Sequence, residues 1–400
     1  CKDREDGVRC RMLLAIAGGA LQGLEITYLA KVAGYETLLL DRDGDAPAAG
    51  LCDRYLAIDK TDCDVLAEAL RGVDLVLPAT ENVRALESLV FCCGASGPPL
   101  AFDPSAYAIS SSKRKSDGLF QRIGIPAPAP WPDCTFPVLA KPDSESGSKG
   151  VEVFQDMAVL EARFEVLPPP GRVLQEYVDG PSYSIEVLGR PGHHTPLQVT
   201  DLEMDGGYDC KRVLAPSSLS SDLSILLEGF GTILAGALNL TGIMDVEAVL
   251  HDGRLLVLEI DARFPSQTPI AVYHSTGINM VERLVTLFVD SNEGDTDSAP
   301  IQHQRGSVLE HIRVCDGQLS VCGEKIMTED GPLDLIEDFY GADAALTSYA
   351  PDKSDWVATL MITGVDLADA RRRRESVIAE IRNRFGISSY RDDHPPELLG

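Results

Sequence analysis

Glu247, Glu259 and Asp261 stand in two short apolar stretches, MDVEAVL and LEIDARF. Side chains alternate between the faces of a strand. Asp245 and Glu247 therefore share one face of the first stretch, and Glu259 and Asp261 share one face of the second. His251-Asp252-Gly253 reads as the tight turn that joins them into a hairpin. Four carboxylates gathered on one side would repel and be costly to bury without a counter-charge. Oxygen-only ligands of this kind suit Mg²⁺ bridging nucleotide phosphates. Arg263 follows, where it could offset charge on a transferring phosphoryl group. The plainer alternative is a solvent-facing acidic hairpin with a structural arginine. Val246, Ala248, Ile260 and Phe264 argue for internal strands instead.

Lys141-Pro142 precedes the small-residue run Ser144-Glu145-Ser146-Gly147-Ser148-Lys149-Gly150. Backbone N–H groups and hydroxyls in such a loop can fold over phosphates, although the run also reads as an ordinary hairpin turn. Gln175-Glu176-Tyr177-Val178 ends a strand whose backbone could read a purine edge, as could many strand ends. Gly18-Gly19-Ala20-Leu21-Gln22-Gly23 lies between a strand and a helix, and Asp41 ends the next strand. That turn suits a dinucleotide, a carboxylate at the helix N-terminus, or no ligand at all.

These groups require a particular set of elements. Residues 12–43 read as strand (Leu13–Ala17), glycine turn, helix with Leu21, Leu24, Tyr28 and Leu29 on one stripe, and strand (Thr37–Leu40). A further strand follows at 74–78. The alternation predicts a parallel α/β sheet over 12–105. Residues 106–123 read as helical, and the Pro-rich stretch 125–137 as a linker. Short strand patterns make the middle section α+β. A long helix at Leu223–Leu238 precedes the acidic hairpin, 291–300 is a polar loop, and a charged helix spans Asp366–Phe385. Arg371–Arg374 in that helix reads as a solvated face. The expected units are an extension at 1–11, a Rossmann-like domain at 12–105, a small lid unit at 106–182, and a large unit at 183–400.

The formal net charge of −27, from 35 Lys+Arg against 62 Asp+Glu, disfavours nucleic acid and anionic membranes as partners. It leaves cationic substrates open. No continuous run of about 18 apolar residues is present, so no membrane span is expected. Ten cysteines without CxxC spacing read as reduced, mostly buried thiols in a cytoplasmic protein.

Taken in order, the motifs resemble the ATP-grasp superfamily from Met12 to about residue 290. Within it, GGALQGLEITYLAK, VLPATENV, GIMDVEAVL and EIDARFPSQTPIAVYHSTGIN resemble the ligases of pyrrolysine biosynthesis. The resemblance implies a Rossmann-like domain followed by an ATP-grasp fold. It implies ATP with one or two Mg²⁺ ions, and the substrates 3-methylornithine and L-lysine joined through an acylphosphate. It places Lys113 and Lys141 on ATP phosphates, Ser148 on the lid, and Glu176 and Val178 at the adenine hinge. Glu247, Glu259 and Asp261 would hold metal, and Arg263 and Lys141 would stabilise transferring charge. Lysine would meet Leu21, Gln22, Glu81 and Asp59. The ornithine would meet Glu186, Asp245 or Asp209, with Ser266 and Gln267 close by.

The sequence departs from the superfamily at Ser112, where an acid is usual. It departs again at Pro181-Ser182, where a ribose-binding Glu is usual, and at Asp261, where most members have Asn. Two rivals stand beside this: an ATP-grasp ligase for another substrate pair, and a nicotinamide-dependent oxidoreductase built on the first βαβ unit. The second gives the acidic hairpin and lid loop no role.

Overall fold

The computed structural model describes residues 11–94, 96–144, 150–290 and 304–395. The expected extension (apart from Arg11), Ser148 and the polar loop 291–300 lie outside the described residues.

The first sheet has four parallel strands in the order Arg54–Ala57, Glu36–Asp41, Leu13–Ala17, Leu75–Pro78. Its central strands are near-continuous apolar runs because helices cover both faces. Leu14, Ile16, Leu39 and Leu40 are fully buried. Helix Leu21–Val32 makes the first crossover. The glycines of the turn before it serve close packing. Gly18 has φ +133°, and a Cβ there would collide with the Ala79 carbonyl; a Cβ on Gly23 would collide with the Gly18 carbonyl.

A small antiparallel sheet places Val138–Pro142 between Glu152–Phe154 and Arg172–Glu176. It has its own core of Val138, Ala140, Phe154, Leu160 and Leu174. The third sheet is large. Its main path runs through Arg254–Asp261, Gly242–His251, Ser182–Arg190, Thr200–Met204, Cys210–Ala215, Gly306–Cys315 and Trp356–Gly364. One apolar core joins Ile16 and Leu29 of the first unit to Ile270, Leu284, Leu309 and Met327. The first and third sheets therefore share an interior, and a cleft forms where their loops meet.

The acidic hairpin has the expected turn. Asp252 and Gly253 both take positive φ, +48° and +75°, between the paired residues His251 and Arg254. The ladder pairs Ala248 with Val257 but Glu247 with Glu259, so Leu258 is an extra, unpaired residue.

Two expectations are corrected and one is refined. Residues 106–123 form two helices, Pro104–Ser110 and Lys113–Ile123. The Ser112 hydroxyl accepts from Lys115 N at 3.3 Å and donates to Asp143, and this cap opens the second helix at Lys113. The Arg371–Arg374 run is only partly a solvated face. Arg374 lies against the fully buried Glu310 at 2.7 Å, and Arg373 pairs with Asp343 at 2.9 Å. The eight described cysteines are free and half-buried rather than mostly buried. Ser221–Leu238 is, among the described residues, a helix long and apolar enough to cross a membrane by composition. In this fold it packs one face, with Leu227, Phe230, Leu234 and Ala235, against the large sheet.

Candidate active site

Three strands of the large sheet carry two cross-strand rows. Glu186, Asp245 and Asp261 form one, and Ser184, Glu247 and Glu259 form the other. Residues directly opposite one another in a ladder share a face. Five carboxylates thus crowd one surface, and the protein supplies cations against them. Lys113 Nζ lies 3.0 Å from Glu259. Arg263 donates to Asp261 through Nε and lies 2.7 Å from Glu81. Lys141, almost wholly buried, reaches the carbonyl of the bulged Leu258 at 3.4 Å. Burial pulls the Lys141 ammonium below its usual range, against the pull of Asp117 and Glu259.

Burial acts in the opposite sense on the acids. It raises Glu247 to about 8, with help from Glu259. It raises Asp245 well above the usual carboxylate range, with help from Asp261 and Glu247. Asp261 is also raised by burial, though Arg263 works against the shift.

This surface forms one side of a cavity of about 500 Å³. Gly18–Gln22, Thr80 and Glu81 line it from the first unit; Tyr208, Asp209 and Cys210 line it from the turn into the strand Cys210–Ala215, with Glu324 beside them. Ser266 and Gln267 line it from the segment after the hairpin. Gln267 stands at φ +70°, a conformation a non-glycine residue rarely takes, just before helix Thr268–Thr276. Glu324 is raised to about 7 by burial, and its Oε2 has no hydrogen-bond partner among the described residues. The same holds for Oε2 of Glu186, which is fully buried, in register with Asp245, and also raised to about 7 by burial. Unpartnered buried carboxylate oxygens beside a cavity favour a cationic occupant.

The cavity thus gathers Leu21, Gln22, Glu81, Asp245, Glu247, Glu259, Asp261, Arg263, Ser266 and Gln267. Lys113, Lys141, Glu176, Val178 and Glu186 are outside its lining, and Lys113 and Lys141 approach Glu259 and Leu258. Glu176 Oε2 accepts from Ala129 N at 3.1 Å, which ties the hinge to the linker. Asp59 does not reach the cavity. It is outside the lining, and its carboxylate accepts from the N–H and hydroxyl of Thr61. Its neighbour Lys60 is the residue that lines the wall, 2.9 Å from Asp41. Asp41 also accepts from Gly19 N at 2.8 Å, so this acid holds the glycine turn and its Lys60 partner. Glu324 and Lys60 are not marked by the sequence, because no local spacing singles them out and each lies in a loop that only the tertiary fold brings to the wall.

Among the described residues, no three His, Cys, Asp or Glu side chains converge in metal-ligating geometry. The three-ligand set expected from the sequence is divided, with Glu259 on Lys113 and Asp261 on Arg263. The facing pair Glu247 and Glu259 still fits Mg²⁺, which takes one or two carboxylates and fills its shell with phosphate and water oxygens. Asp261 Oδ1, buried without a partner among the described residues, is one more available acceptor.

The ATP-grasp domain family matches residues 110–267, the span from the capped helix to Gln267. The 3-methyl-D-ornithine–L-lysine ligase of Methanosarcina acetivorans is 33% identical over 94% of this chain and 99% of its own length. The chain belongs to that ligase family. The Methanosarcina mazei member is also 33% identical, over 94% of this chain and 97% of its own. Among solved structures, the biotin carboxylase domain of Hydrogenobacter thermophilus 2-oxoglutarate carboxylase, in complex with MgADP, ADP and bicarbonate, aligns with a TM-score of 0.72. It is 15% identical, over 93% of this chain and 90% of that one. N5-carboxyaminoimidazole ribonucleotide synthetase from Thermotoga maritima aligns with a TM-score of 0.62 at 20% identity, over 93% and 98%. These two support the ATP-grasp fold. The chain is an ATP-grasp ligase, and the oxidoreductase alternative is set aside.

Proposed function

We propose that the chain joins the carboxylate of (3R)-3-methyl-D-ornithine to the ε-amine of L-lysine, spending ATP and releasing ADP and phosphate. The observation that carries this is the acid-lined cavity beside Lys113 and Lys141. Two diamino acids bring several ammonium groups, which match its unpartnered carboxylate oxygens.

In this reading a carboxylate oxygen of the ornithine attacks the γ-phosphorus of ATP, and the bond to the ADP oxygen breaks. The lysine amine then attacks the acylphosphate carbon. The C–O bond to phosphate breaks, and the amine's proton passes to the departing phosphate or to a carboxylate such as Glu81. Lys113, Lys141 and Arg263 offset negative charge on the moving phosphoryl group. Glu247 and Glu259, with Asp261 beside them, would hold Mg²⁺, which supplies charge neutralisation of the phosphates when bound. Glu176 and Val178 frame the adenine.

The ammonium groups of the ornithine face Glu186, Asp245, Asp209 and Glu324. The carboxylate of lysine meets the N-terminal turn of helix Leu21–Val32 at Leu21 and Gln22. That helix has no side-chain cap, so its first N–H groups are available to an anion. Glu81 lies near the α-ammonium.

The domain boundaries form part of the same reading. The lid is best begun after Ala127, because Ala106, Leu119, Phe120 and Ile125 are buried with the strands of the large sheet. Free thiols throughout the described residues fit a reducing compartment such as the cytoplasm.

The deciding experiment is mass spectrometry of the product, coupled to an ADP-release assay. With 3-methyl-D-ornithine, L-lysine and MgATP, one amide product and equimolar ADP are expected. ADP release with other amino-acid pairs but none with this one overturns the substrate assignment.

A further inference from the structure

Tyr208 stands between the two halves of the site. It lines the amino-acid cavity, and its hydroxyl lies 3.1 Å from that of Tyr177. Tyr177 follows the strand Arg172–Glu176, and its N–H donates to Pro137 O at 3.0 Å, so it is fixed to the lid sheet.

The backbone of Tyr208 is held in an uncommon state. Its φ is +61°, in the left-handed region that a bulky aromatic residue rarely adopts. Asp205 imposes it. One oxygen of its carboxylate accepts from Gly207 N at 2.7 Å and Asp209 N at 3.1 Å. The other accepts from Gly323 N at 2.9 Å. Beyond Tyr208, the Asp209 carboxylate accepts from Lys325 N at 3.1 Å, and Glu324 N donates to Cys210 O at 3.0 Å. The 205–210 turn and the 323–325 segment are therefore one locked unit. That unit presents Asp209 and Glu324 to the cavity, and the Tyr177 hydroxyl joins it to the hinge.

We propose that Tyr208 is a positioning residue that couples nucleotide occupancy at the hinge to amino-acid binding in the cavity, through its hydroxyl contact with Tyr177. The proposal rests on the assignment of Glu176–Val178 as the nucleotide hinge. A nucleotide that orders the hinge fixes Tyr177, and Tyr177 in turn fixes the turn carrying Asp209. Removing either hydroxyl cuts this link. A net hydrogen bond of ordinary strength corresponds to roughly a 3- to 10-fold effect.

The test is titration calorimetry on the full chain with MgADP, D-ornithine and L-lysine, each alone and then each amino acid at saturating MgADP. Native protein is compared with Tyr177→Phe, Tyr208→Phe and the double variant. In native protein, MgADP should tighten amino-acid binding. Each single variant should reduce that factor by about 3- to 10-fold, and the double variant should reduce it no further. For Tyr208→Phe, which lies outside the hinge, MgADP affinity measured alone should stay within about twofold, well inside the effect of one hydrogen bond. The same variants should raise KM for the amino acid at saturating ATP, with kcat little changed.

Coupling that survives in the variants overturns the proposal. So does an equal loss of amino-acid affinity with and without MgADP, or additive effects of the two substitutions. If native protein binds neither MgADP nor a diamino acid, the proposed function itself has failed, a result distinct from intact binding without coupling.

Discussion

Glu259 faces Glu247 across the hairpin only because Leu258 drops out of the ladder. A two-residue turn at Asp252-Gly253 sets Ala248 opposite Val257. Continued without a bulge, that register would set Glu247 opposite Leu258 and turn Glu259 to the other face of the sheet. The extra residue brings the carboxylates onto one side. It also frees the Leu258 carbonyl, which accepts from Lys141. A single irregularity thus aligns the acid pair and one of its flanking cations.

The acid pair should govern metal dependence. Glu247→Gln and Glu259→Gln should each reduce turnover at limiting Mg²⁺ by about 10- to 100-fold or more, the scale of loss when a metal's partners are removed. Excess Mg²⁺ should restore part of it. Because Glu247 is raised to about 8, protons compete with the metal below that pH. The apparent Mg²⁺ affinity of native protein should therefore rise from pH 6.5 to 8.5. Full activity of Glu259→Gln at limiting Mg²⁺ would remove these residues from metal binding.

Arg263 neutralises Asp261 and Glu81 at once. Arg263→Ala should lower kcat by about 10²–10³-fold, the usual effect of losing a donor aimed at developing charge. Arg263→Lys should recover only part, since an ammonium cannot bridge both carboxylates as the guanidinium fork does. Steady-state kinetics decides this, and a kcat within threefold of native counts against the assigned role.

The arginine run of the helix Leu367–Arg384 should split by position. Arg372 is two-thirds exposed and pairs with Asp369 one turn away, so Arg372→Ala should cost less than about 0.5 kcal/mol. Arg374 faces Glu310, which has no exposed surface. Arg374→Ala should cost roughly 2–3 kcal/mol, less than breaking an isolated buried pair because Arg212 still contacts Glu310. Urea denaturation of the two variants measures the difference, and equal stabilities would refute it.

Glu25 gives the fold a pH dependence. Buried where the first unit meets helix Thr268–Thr276, it accepts from Ile270 N at 3.1 Å and is raised by burial to about 8. The folded protein then binds this proton more tightly than the unfolded chain does. Its contribution is complete below pH about 4.5 and is lost as pH rises towards 8. Glu25→Gln keeps an acceptor for Ile270 N and cannot ionise. Its Tm relative to native should therefore climb between pH 5.5 and pH 8.5, and a pH-independent difference would contradict the assignment.

Much of the scaffold is legible in the sequence because its signals are local. Leu13–Ala17 is apolar without interruption, Asp252-Gly253 supplies the positive-φ turn, and Gly18 and Gly23 mark the close crossing of strand and helix. The acids of the hairpin are legible as a set, but their shared face depends on the Leu258 bulge, which leaves no mark in composition. The break at Ser112 was hidden because the helical pattern continues across it. The Ser112 cap is completed by the Asp143 carboxylate, 31 residues away. Asp59 and Lys60 show the limit of position alone, since adjacent residues at a loop point to different sides. Glu324 could not be found locally at all, because it is delivered by a segment folded against the 205–210 turn.

The cavity wall runs from Gly18 to Thr328, while the matched ATP-grasp segment ends at residue 267. A gene cut short after codon 320 would keep every motif by which such ligases are recognised in genomes. Its product would still lack Glu324 and Thr328 of the wall, along with the strand Trp356–Gly364 that flanks Gly306–Cys315. For this family, an intact motif string is not a guarantee of an intact binding site, and open reading frames should be checked through the last hundred codons before a pathway is inferred from them.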